Sequence, residues 1–413
     1  MNDRRIEEPT GKSWLTLGLV AAVTLPGLAV RADVIHLPVE VEALLFGVAI
    51  LGAAFLLSWA ADVAQLDVPR TLAIASLAII VVLPEYAVDL FLAFRAGQGD
   101  VQKTHLAVAN MTGSNRLLIG IGWAAVVLVY WAKAGRREIR LRAEQRTDVG
   151  YLLIATVWAF TIPLRRQLSL LDLAILGGLL VAYIVRAARE EMEEPELIGV
   201  AALLGRLPAG ARRVTTIGLF LFSAAVILGV AEQFADGLIE IGKRFNISQF
   251  LLIQWVAPLA SEAPELIIAV LFTLRLKPRA GLGTLISSKV NQWTLLVGTL
   301  PLVFIIAGLG RGEGLRALPM DGRQVEEVFL TAAQSLFAVA VIANFSISRV
   351  EAVGLLVLFL GQFGFESSAV RYGFGFTYLA LTLALLAFRS DARRGLWESI
   401  MHVVRPSRSR GGD

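Results

Sequence analysis

The chain contains no cysteine and few charged side chains for its length. Without cysteine among its 413 residues, disulfides, thiolate metal sites and iron–sulfur clusters are excluded. Charged residues make up 17% of the chain, against about a quarter in an ordinary soluble domain. No phosphate-binding loop, HExxH zinc motif or nucleophile elbow occurs in the sequence, so three common classes of enzyme chemistry lack their motifs.

Hydrophobic residues, 56% of the chain, are instead gathered into long runs, and the mean hydropathy is +0.68. Many runs contain about 17 to 25 residues, enough to cross a bilayer as a helix. The short alternating segments of a membrane β-barrel do not occur. The sequence therefore predicts an all-α membrane protein with about twelve transmembrane helices. The predicted spans are 13–30, 41–61, 71–96, 105–131, 149–164, 169–186, 214–240, 249–275, 281–308, 327–346, 349–366 and 372–389.

The distribution of lysine and arginine predicts how these spans are oriented. The polar start MNDRRIEEPTGKSW has no short apolar core followed by a cleavage site, so the first run is read as a span. With both termini in the cytoplasm, 25 Lys and Arg residues lie in or beside cytoplasmic segments, 11 lie outside and two lie within spans. Cytoplasmic segments carry this positive excess in membrane proteins. We expect an integral protein of a bacterial inner (plasma) membrane with cytoplasmic termini.

A polar stretch over residues 188–213 separates six spans from six. Its acidic sequence, AREEMEEPELIG, admits a metal-sensing region or a solvated linker, and the linker is favoured. The predicted organisation has four parts. They are a first transmembrane half (1–187), a cytoplasmic linker (188–213), a second transmembrane half (214–391) and a basic cytoplasmic tail (392–413).

A Pro-Glu pair interrupts an apolar run once in each half. Pro84-Glu85 in LPEYAVDLFLAFR matches Pro264-Glu265 in APELIIAVLFTLR. In the predicted topology the first segment runs outward and the second inward. Similar segments in opposite orientation are typical of inverted-repeat secondary transporters, whose substrate site lies at the repeat interface near the bilayer midplane.

Each Pro-Glu pair supplies oxygen atoms that lipid alone would disfavour. Because proline has no N–H, Pro84 and Pro264 leave the carbonyls of Ile80 and Ala260 without their helical partners. Free carbonyls and carboxylates at membrane depth are costly unless they line a polar cavity. Together they suit a hard cation such as Na⁺ or Ca²⁺. A proline kink with a packing hydrogen bond is the competing interpretation, and two matched sites disfavour it.

At these residues the sequence resembles the calcium/cation antiporter superfamily, which includes sodium/calcium exchangers and cation/proton exchangers. The resemblance covers 71–122 and 249–298, where each Pro-Glu segment precedes a small-residue segment, MTGSNR or LISSKV. It implies a ten-helix inverted-repeat core, extended here by one span at each end. It makes Glu85 and Glu265 the central metal ligands. The other ion-binding residues at family motif positions are Ser114, Ser261, Ser288 and Gln292. Asp89 and Glu262 join them from the sequence itself, because their spacing lets each share a helix face with Glu85 or Glu265.

The chain also departs from the family pattern. Valines occupy 81–82, where the family has hydroxyl residues, and Leu118 replaces a later polar ligand. Two bases, Arg116 and Lys289, fall within two residues of the implied serine ligands. With four nearby acids they leave a formal charge of −2, which suits one divalent ion, or two monovalent ions or protons. We interpret them as internal counter-cations; alternatively, both pair elsewhere or reach an interface.

The predicted function is a secondary active antiporter that exchanges Ca²⁺ or Na⁺ for H⁺ or Na⁺ by alternating access. We expect no cofactor beyond the transported cation, no enzyme activity and no nucleic-acid partner. The expected partners are membrane lipid and small inorganic cations. A receptor or intramembrane enzyme on a similar scaffold, independent of any ion gradient, is the alternative. His105 is read as a proton relay or an interfacial residue. Glu232 and Asp236 are read as a gate or a water-facing helix end.

The predicted orientation leads to a first test. Green fluorescent protein fused after Asp413 should fluoresce, and alkaline phosphatase fused there should be inactive, because the lysine and arginine bias places the C-terminus in the cytoplasm. The same reporters inserted near residue 35, after the first predicted span, should give the opposite pattern. Phosphatase activity at the C-terminus would mean that the span count is wrong by one.

Overall fold

The chain folds almost entirely into α-helices. The computed structural model describes residues 11–67, 83–141, 145–188, 197–363, 365 and 367–404. The helices before the middle of the chain are α1 (Gly11–Ala22), α2 (Leu25–Arg31), α3 (Val39–Ala64), α4 (Leu83–Gly97), α5 (Val101–Leu106), α6 (Ala109–Leu117), π1 (Leu118–Trp123), α7 (Ala124–Ala134), α8 (Gln145–Ala159), α9 (Thr161–Arg165) and α10 (Leu170–Ala187).

The remaining helices follow the 188–213 stretch or begin within it. The helices are α11 (Gly199–Gly205), α12 (Ala209–Phe245), α13 (Gln249–Leu274), α14 (Pro278–Asn291), π2 (Gln292–Leu296), α15 (Val297–Leu309), α16 (Gly322–Ile342), α17 (Arg349–Gln362), α18 (Ser368–Phe388) and α19 (Ser390–Val404). Four short strands are β1 (Glu138–Arg140), β2 (Gln167–Leu168), β3 (Leu318–Pro319) and β4 (Ser346–Ser348).

Ten helical segments in the described part of the chain are long and apolar enough to cross a membrane. They match ten of the twelve predicted spans. The predicted span 71–96 lies partly outside the described residues, and its described part is α4. The predicted span 349–366 is α17, whose 14 residues extend for only about 21 Å. The all-α membrane fold is confirmed, and the count of twelve stays a prediction.

The chain forms two compact units. One comprises Met1–Leu92 and Met192–Pro264, and the other comprises Ala93–Glu191 and Glu265–Asp413. Both units therefore draw on the N-terminal and the C-terminal parts of the chain. Two of the three boundaries, 92/93 and 264/265, fall inside the helices that carry the Pro-Glu pairs. The four-part organisation predicted from the sequence stays a prediction.

In the first unit, α3 packs along the long helix α12. Gly47 allows this close approach, because a Cβ atom there would lie 2.9 Å from the Phe234 ring. At the other end of α3, Leu56 and Trp59 form an apolar cluster with Leu204 of the short helix α11. The long helix pair and this cluster are the core of the unit.

A part-buried ion pair between Asp67 and Arg212 lies at one end of the first unit. Asp67, which follows α3, accepts hydrogen bonds from Arg212 of α12 at 2.6 and 2.8 Å and from Arg213 at 3.0 Å. The hydrogen bonds from Arg212 lower the pKa of Asp67 to about 2. A carboxyl pKa lowered by folding stabilises the folded state at neutral pH, and this contribution is lost as the pH falls through the folded pKa.

In the second unit, the almost wholly buried helix α16 is central. It packs against α18, where Leu330, Ala333 and Tyr378 form an apolar cluster. Two antiparallel strand pairs join the connecting segments. Ile139 of β1 lies opposite Ile347 of β4, and Leu168 of β2 lies opposite Leu318 of β3.

These strand pairs agree with the predicted alternation of spans in the second unit. β1 and β4 both lie in segments predicted to be cytoplasmic, whereas β2 and β3 both lie in segments predicted to be external. A miscount of one span between paired segments would put them on opposite faces of the membrane. The contacts therefore support the alternation, while the assignment of each face stays a prediction.

Close packing within the second unit predicts the effect of a glycine substitution. A Cβ atom at Gly281 of α14 would lie 2.4 Å from the carbonyl oxygen of Ala269 in α13. Because backbone cannot move aside cheaply, Gly281→Ala should lose about 1–3 kcal/mol of stability, measured by thermal unfolding in detergent. Gly218→Ala on α12, where a Cβ atom meets open space, should keep or raise the unfolding temperature. Equal behaviour of the two variants would contradict the tight packing of α14.

Candidate functional site

The first predicted carboxylates lie on α4 and are removed from solvent. Glu85 is 2% exposed and Asp89 is fully buried. Their four-residue spacing places them on one face of the helix. Ile80, whose carbonyl Pro84 is predicted to leave unpaired, lies outside the described residues, as do the valines at 81–82.

The second Pro-Glu pair lies inside a continuous helix. α13 contains Pro258 and Pro264 without ending at either of them. Because Pro264 has no N–H, the carbonyl of Ala260 loses its usual helical donor, as the sequence predicts. Ala260 is half-buried, so this oxygen can face a polar partner.

Three predicted ligand residues surround Pro264 in the sequence of α13. Ser261, Glu262 and Glu265 are all buried, with exposures of 7, 4 and 9%. The Ser261 hydroxyl donates to the Ala257 carbonyl at 3.3 Å, so it is engaged with its own helix. Donation uses only the hydroxyl proton, so both oxygen lone pairs of Ser261 can still serve a cation.

A π-helical segment begins four residues after each predicted serine ligand. Ser114 precedes π1, which starts at Leu118, and Ser288 precedes π2, which starts at Gln292. π segments are rare and frequently occur at functional sites. The two repeats therefore share a backbone irregularity at matched positions, next to residues predicted to bind the ion.

Two buried oxygen atoms beside the π segments lack hydrogen-bond partners among the described residues. They are the Ser114 hydroxyl oxygen and the Asn291 side-chain oxygen. Buried oxygens without partners suit a ligand or an ordered water. Asn291 was not predicted as a site residue. Its adjacency to Gln292, which is 1% exposed, is the signal that identifies it.

Lys289 pairs with its counterpart in the other repeat. Asn115 follows Ser114 as Lys289 follows Ser288, and both side chains are fully buried. The Lys289 ammonium donates to the Asn115 backbone oxygen and side-chain oxygen, each at 2.6 Å. It also lies 5.4 Å from the centroid of the Trp293 ring, a favourable cation–π distance. These contacts stabilise the ammonium charge.

Arg116 forms a buried ion pair with a residue that was not predicted. Its guanidinium donates to Glu327 of α16 at 2.6 Å, and both side chains are at most 3% exposed. Arg323 and Arg371 each approach Glu327 to 3.9 Å. For Arg116 this contact fits the alternative in which the base pairs away from the predicted acids. Two adjacent glutamates, Glu326 and Glu327, at the start of an apolar span are the sequence signal for this pair.

The other candidate residues lie in more exposed surroundings. His105 Nδ1 lies 2.7 Å from Asp321, and the histidine side chain is 56% exposed, which fits the interfacial interpretation. Glu232 and Asp236 are both exposed on α12. Exposure fits a water-facing helix, and the proposed gate stays a prediction.

A helical membrane protein with buried carboxylates on two repeated Pro-Glu helices has the make-up of an ion transporter. The family model described as sodium/calcium exchanger protein matches residues 41–188 and 215–367. The chain belongs to this sodium/calcium exchanger family. The predicted superfamily is confirmed, and membership makes the protein a cation exchanger rather than an enzyme, with cations as substrates and no cofactor.

Solved structures show the same relationship. The chain is 42% identical to the H⁺/Ca²⁺ exchanger CAX, over 95% of this chain and 98% of that one, with a TM-score of 0.90. It shares the fold of the Ca²⁺/H⁺ antiporter protein YfkE (17% identity, 88% and 99% coverage, TM-score 0.60). It also shares the fold of the sodium-calcium exchanger NCX_Mj (16% identity, 80% and 100% coverage, TM-score 0.52). No curated protein matches the sequence significantly.

The Arg116–Glu327 pair yields a stability prediction. Glu327→Gln leaves a buried guanidinium without its carboxylate, and we expect it to lose about 3–5 kcal/mol of stability, measured by thermal unfolding in detergent. Glu240→Gln removes the exposed partner of Lys243, 3.8 Å away, and should change stability by about 0–1 kcal/mol. Indistinguishable unfolding temperatures for the two variants would show that the buried pair contributes no net stability.

Proposed function

We propose that the protein exchanges Ca²⁺ for H⁺ across a membrane by alternating access. The observation that carries this proposal is the 42% identity, over 95% of the chain, to an H⁺/Ca²⁺ exchanger. The buried glutamates of the two Pro-Glu helices support it, since hard cations prefer carboxylate and carbonyl oxygens. Sodium in place of protons is the second candidate, favoured by membership of the sodium/calcium exchanger family.

The proposed cation site takes one central glutamate from each repeat, Glu85 and Glu265. Ca²⁺ is bound by six to eight oxygens in proteins, so two carboxylates need further ligands. The proposed additional ligands are the side chains of Asp89, Ser114, Ser261, Glu262, Ser288 and Gln292 and the carbonyls of Ile80 and Ala260. In an inverted-repeat transporter such a site lies near the bilayer midplane and opens to each face in turn.

Exchange follows from competition for the same carboxylates. Without a cation, buried acids favour their protonated form, because burial disfavours the charged one. A divalent ion offsets this cost and displaces the protons. One ion therefore leaves as protons enter, and protons leave as the ion enters, so each gradient can drive the other.

Lys289 is the proposed internal counter-cation. Its ammonium donates to the oxygens of Asn115. A positive charge beside Ser288 reduces the cationic load that the acids can accept. This restriction favours one divalent ion per cycle over the larger load of a multi-site sodium/calcium exchanger.

Reconstituted protein tests the assignment. Proteoliposomes with an outward proton gradient should accumulate Ca²⁺, and Glu85→Gln or Glu265→Gln should abolish uptake, because each variant removes a carboxylate ligand. The matched control Glu240→Gln changes an exposed acid and should transport normally. Uptake driven by a sodium gradient at clamped pH would select the second candidate. Full transport by both site variants, or no gradient-driven cation uptake by the wild type, would overturn the proposal.

A further inference from the structure

A hydrogen-bonded chain of three side chains links the helix that carries Ser288 to the start of α8. Tyr183 of α10 donates from its hydroxyl to the Asp148 carboxylate at 2.8 Å. The same hydroxyl lies 2.7 Å from the Ser287 hydroxyl. A phenol has one proton to donate, and Tyr183 gives it to Asp148, so Ser287 must be the donor to Tyr183. All donors in the chain therefore point towards Asp148.

The two ends of this chain lie at different depths. Ser287 immediately precedes the proposed ligand Ser288, nine residues after α14 begins at Pro278. Nine residues of helix extend for about 14 Å, roughly half of the ~30 Å hydrocarbon core. Asp148 lies in the first turn of α8 and is half-buried. The hydrogen-bonded series of side chains thus runs from near the predicted midplane to a helix end that water can reach.

Tyr183, the middle residue of this hydrogen-bonded series, is shielded from solvent and held in place. Tyr183 is 5% exposed, and its ring meets the ring of Tyr151 edge-on, with 5.6 Å between centroids. The hydroxyl is therefore fixed between its two partners, where bulk water does not compete for it. A fixed row of hydroxyl groups ending on a carboxylate is an arrangement that can pass a proton between its ends.

We propose that Ser287, Tyr183 and Asp148 form the path by which protons leave the cation site towards the cytoplasmic face. This inference rests on the proposed Ca²⁺/H⁺ exchange. A proton displaced from a site carboxylic acid enters the path at the Ser287 oxygen as Ser287 passes its own proton to Tyr183. Tyr183 passes its proton to Asp148. Three O–H bonds break and three form, and Asp148 then releases the proton to water.

The surroundings of Asp148 contain further titratable and charged groups. Arg146 on α8 lies 3.7 Å from Glu398 on α19. Arg186 on α10 lies 3.5 Å from His402 on α19. Because these groups share the same end of the unit, pH alone does not isolate the path. The test therefore compares variants at one fixed pH.

Replacing Tyr183 with phenylalanine breaks the path while keeping the buried ring. Tyr183→Phe should bind Ca²⁺ with wild-type affinity, measured by thermal stabilisation with the metal in detergent. Its Ca²⁺-dependent proton release, followed with a pH dye in proteoliposomes, should slow by at least about tenfold, since positioned proton transfer contributes factors of 10² or more. Asp148→Asn should slow release similarly, because it removes the terminal acceptor.

The matched control is Tyr372→Phe on α18. Tyr372 is a half-buried tyrosine in the same unit, and its ring packs against Phe329 and Phe376 instead of the Ser287–Tyr183–Asp148 series. This variant should release protons at the wild-type rate. Wild-type rates for both Tyr183→Phe and Asp148→Asn would overturn the path and leave the exchange function intact. If the wild type itself releases no protons on binding Ca²⁺, the proposed function fails and the path fails with it. Loss of Ca²⁺ affinity in Tyr183→Phe would show that the tyrosine only positions α14.

Discussion

The cost of keeping ionised carboxylates inside a helix bundle constrains this protein throughout. An acid at membrane depth must be protonated, paired with a base or bound to a cation. Two of these solutions have candidates here. Glu327 is paired with Arg116. Glu85 and Glu265 lie buried on their helices in a chain of a cation-exchanger family, and we propose that they bind the cation. What offsets each charge thus distinguishes the structural acid from the proposed ion-binding acids.

The two bases near the predicted serines are placed differently, although the sequence suggests one role for both. Arg116 reaches Glu327 on α16 and so joins a cluster of arginine and glutamate side chains that ties three helices together. Lys289 reaches the oxygens of Asn115. An arginine with a rigid guanidinium suits a permanent pair, whereas a lysine can change its protonation state more readily on burial. The chemistry of each base matches its surroundings.

Much of the fold could be predicted from the sequence because lipid permits so few alternatives. Ten predicted spans became helices, since every backbone group in hydrocarbon must find a partner within its own segment. α17 is shorter than its predicted span because the helix ends at Gln362, where Phe363 adopts an extended conformation. The acids of the repeats were predicted from charge in apolar surroundings, and the serines were predicted from the family resemblance. The Arg116–Glu327 pair and the Tyr183 contacts were missed, because their partners lie on different helices, 35 to 211 residues apart, and leave no local pattern.

The paired π segments have a consequence for how the repeats are read. Each π turn accommodates one residue more than an α turn, and one residue corresponds to about 100° of rotation. A helical wheel drawn with α periodicity through π1 or π2 therefore assigns every later side chain to the wrong face. Leu118 and Gln292 stand at the first position of their segments, where this offset begins. Because both repeats carry the π segment at the matched position, the offset is common to both. Residue spacing therefore still relates the two repeats, while the face that each later side chain occupies on its own helix changes.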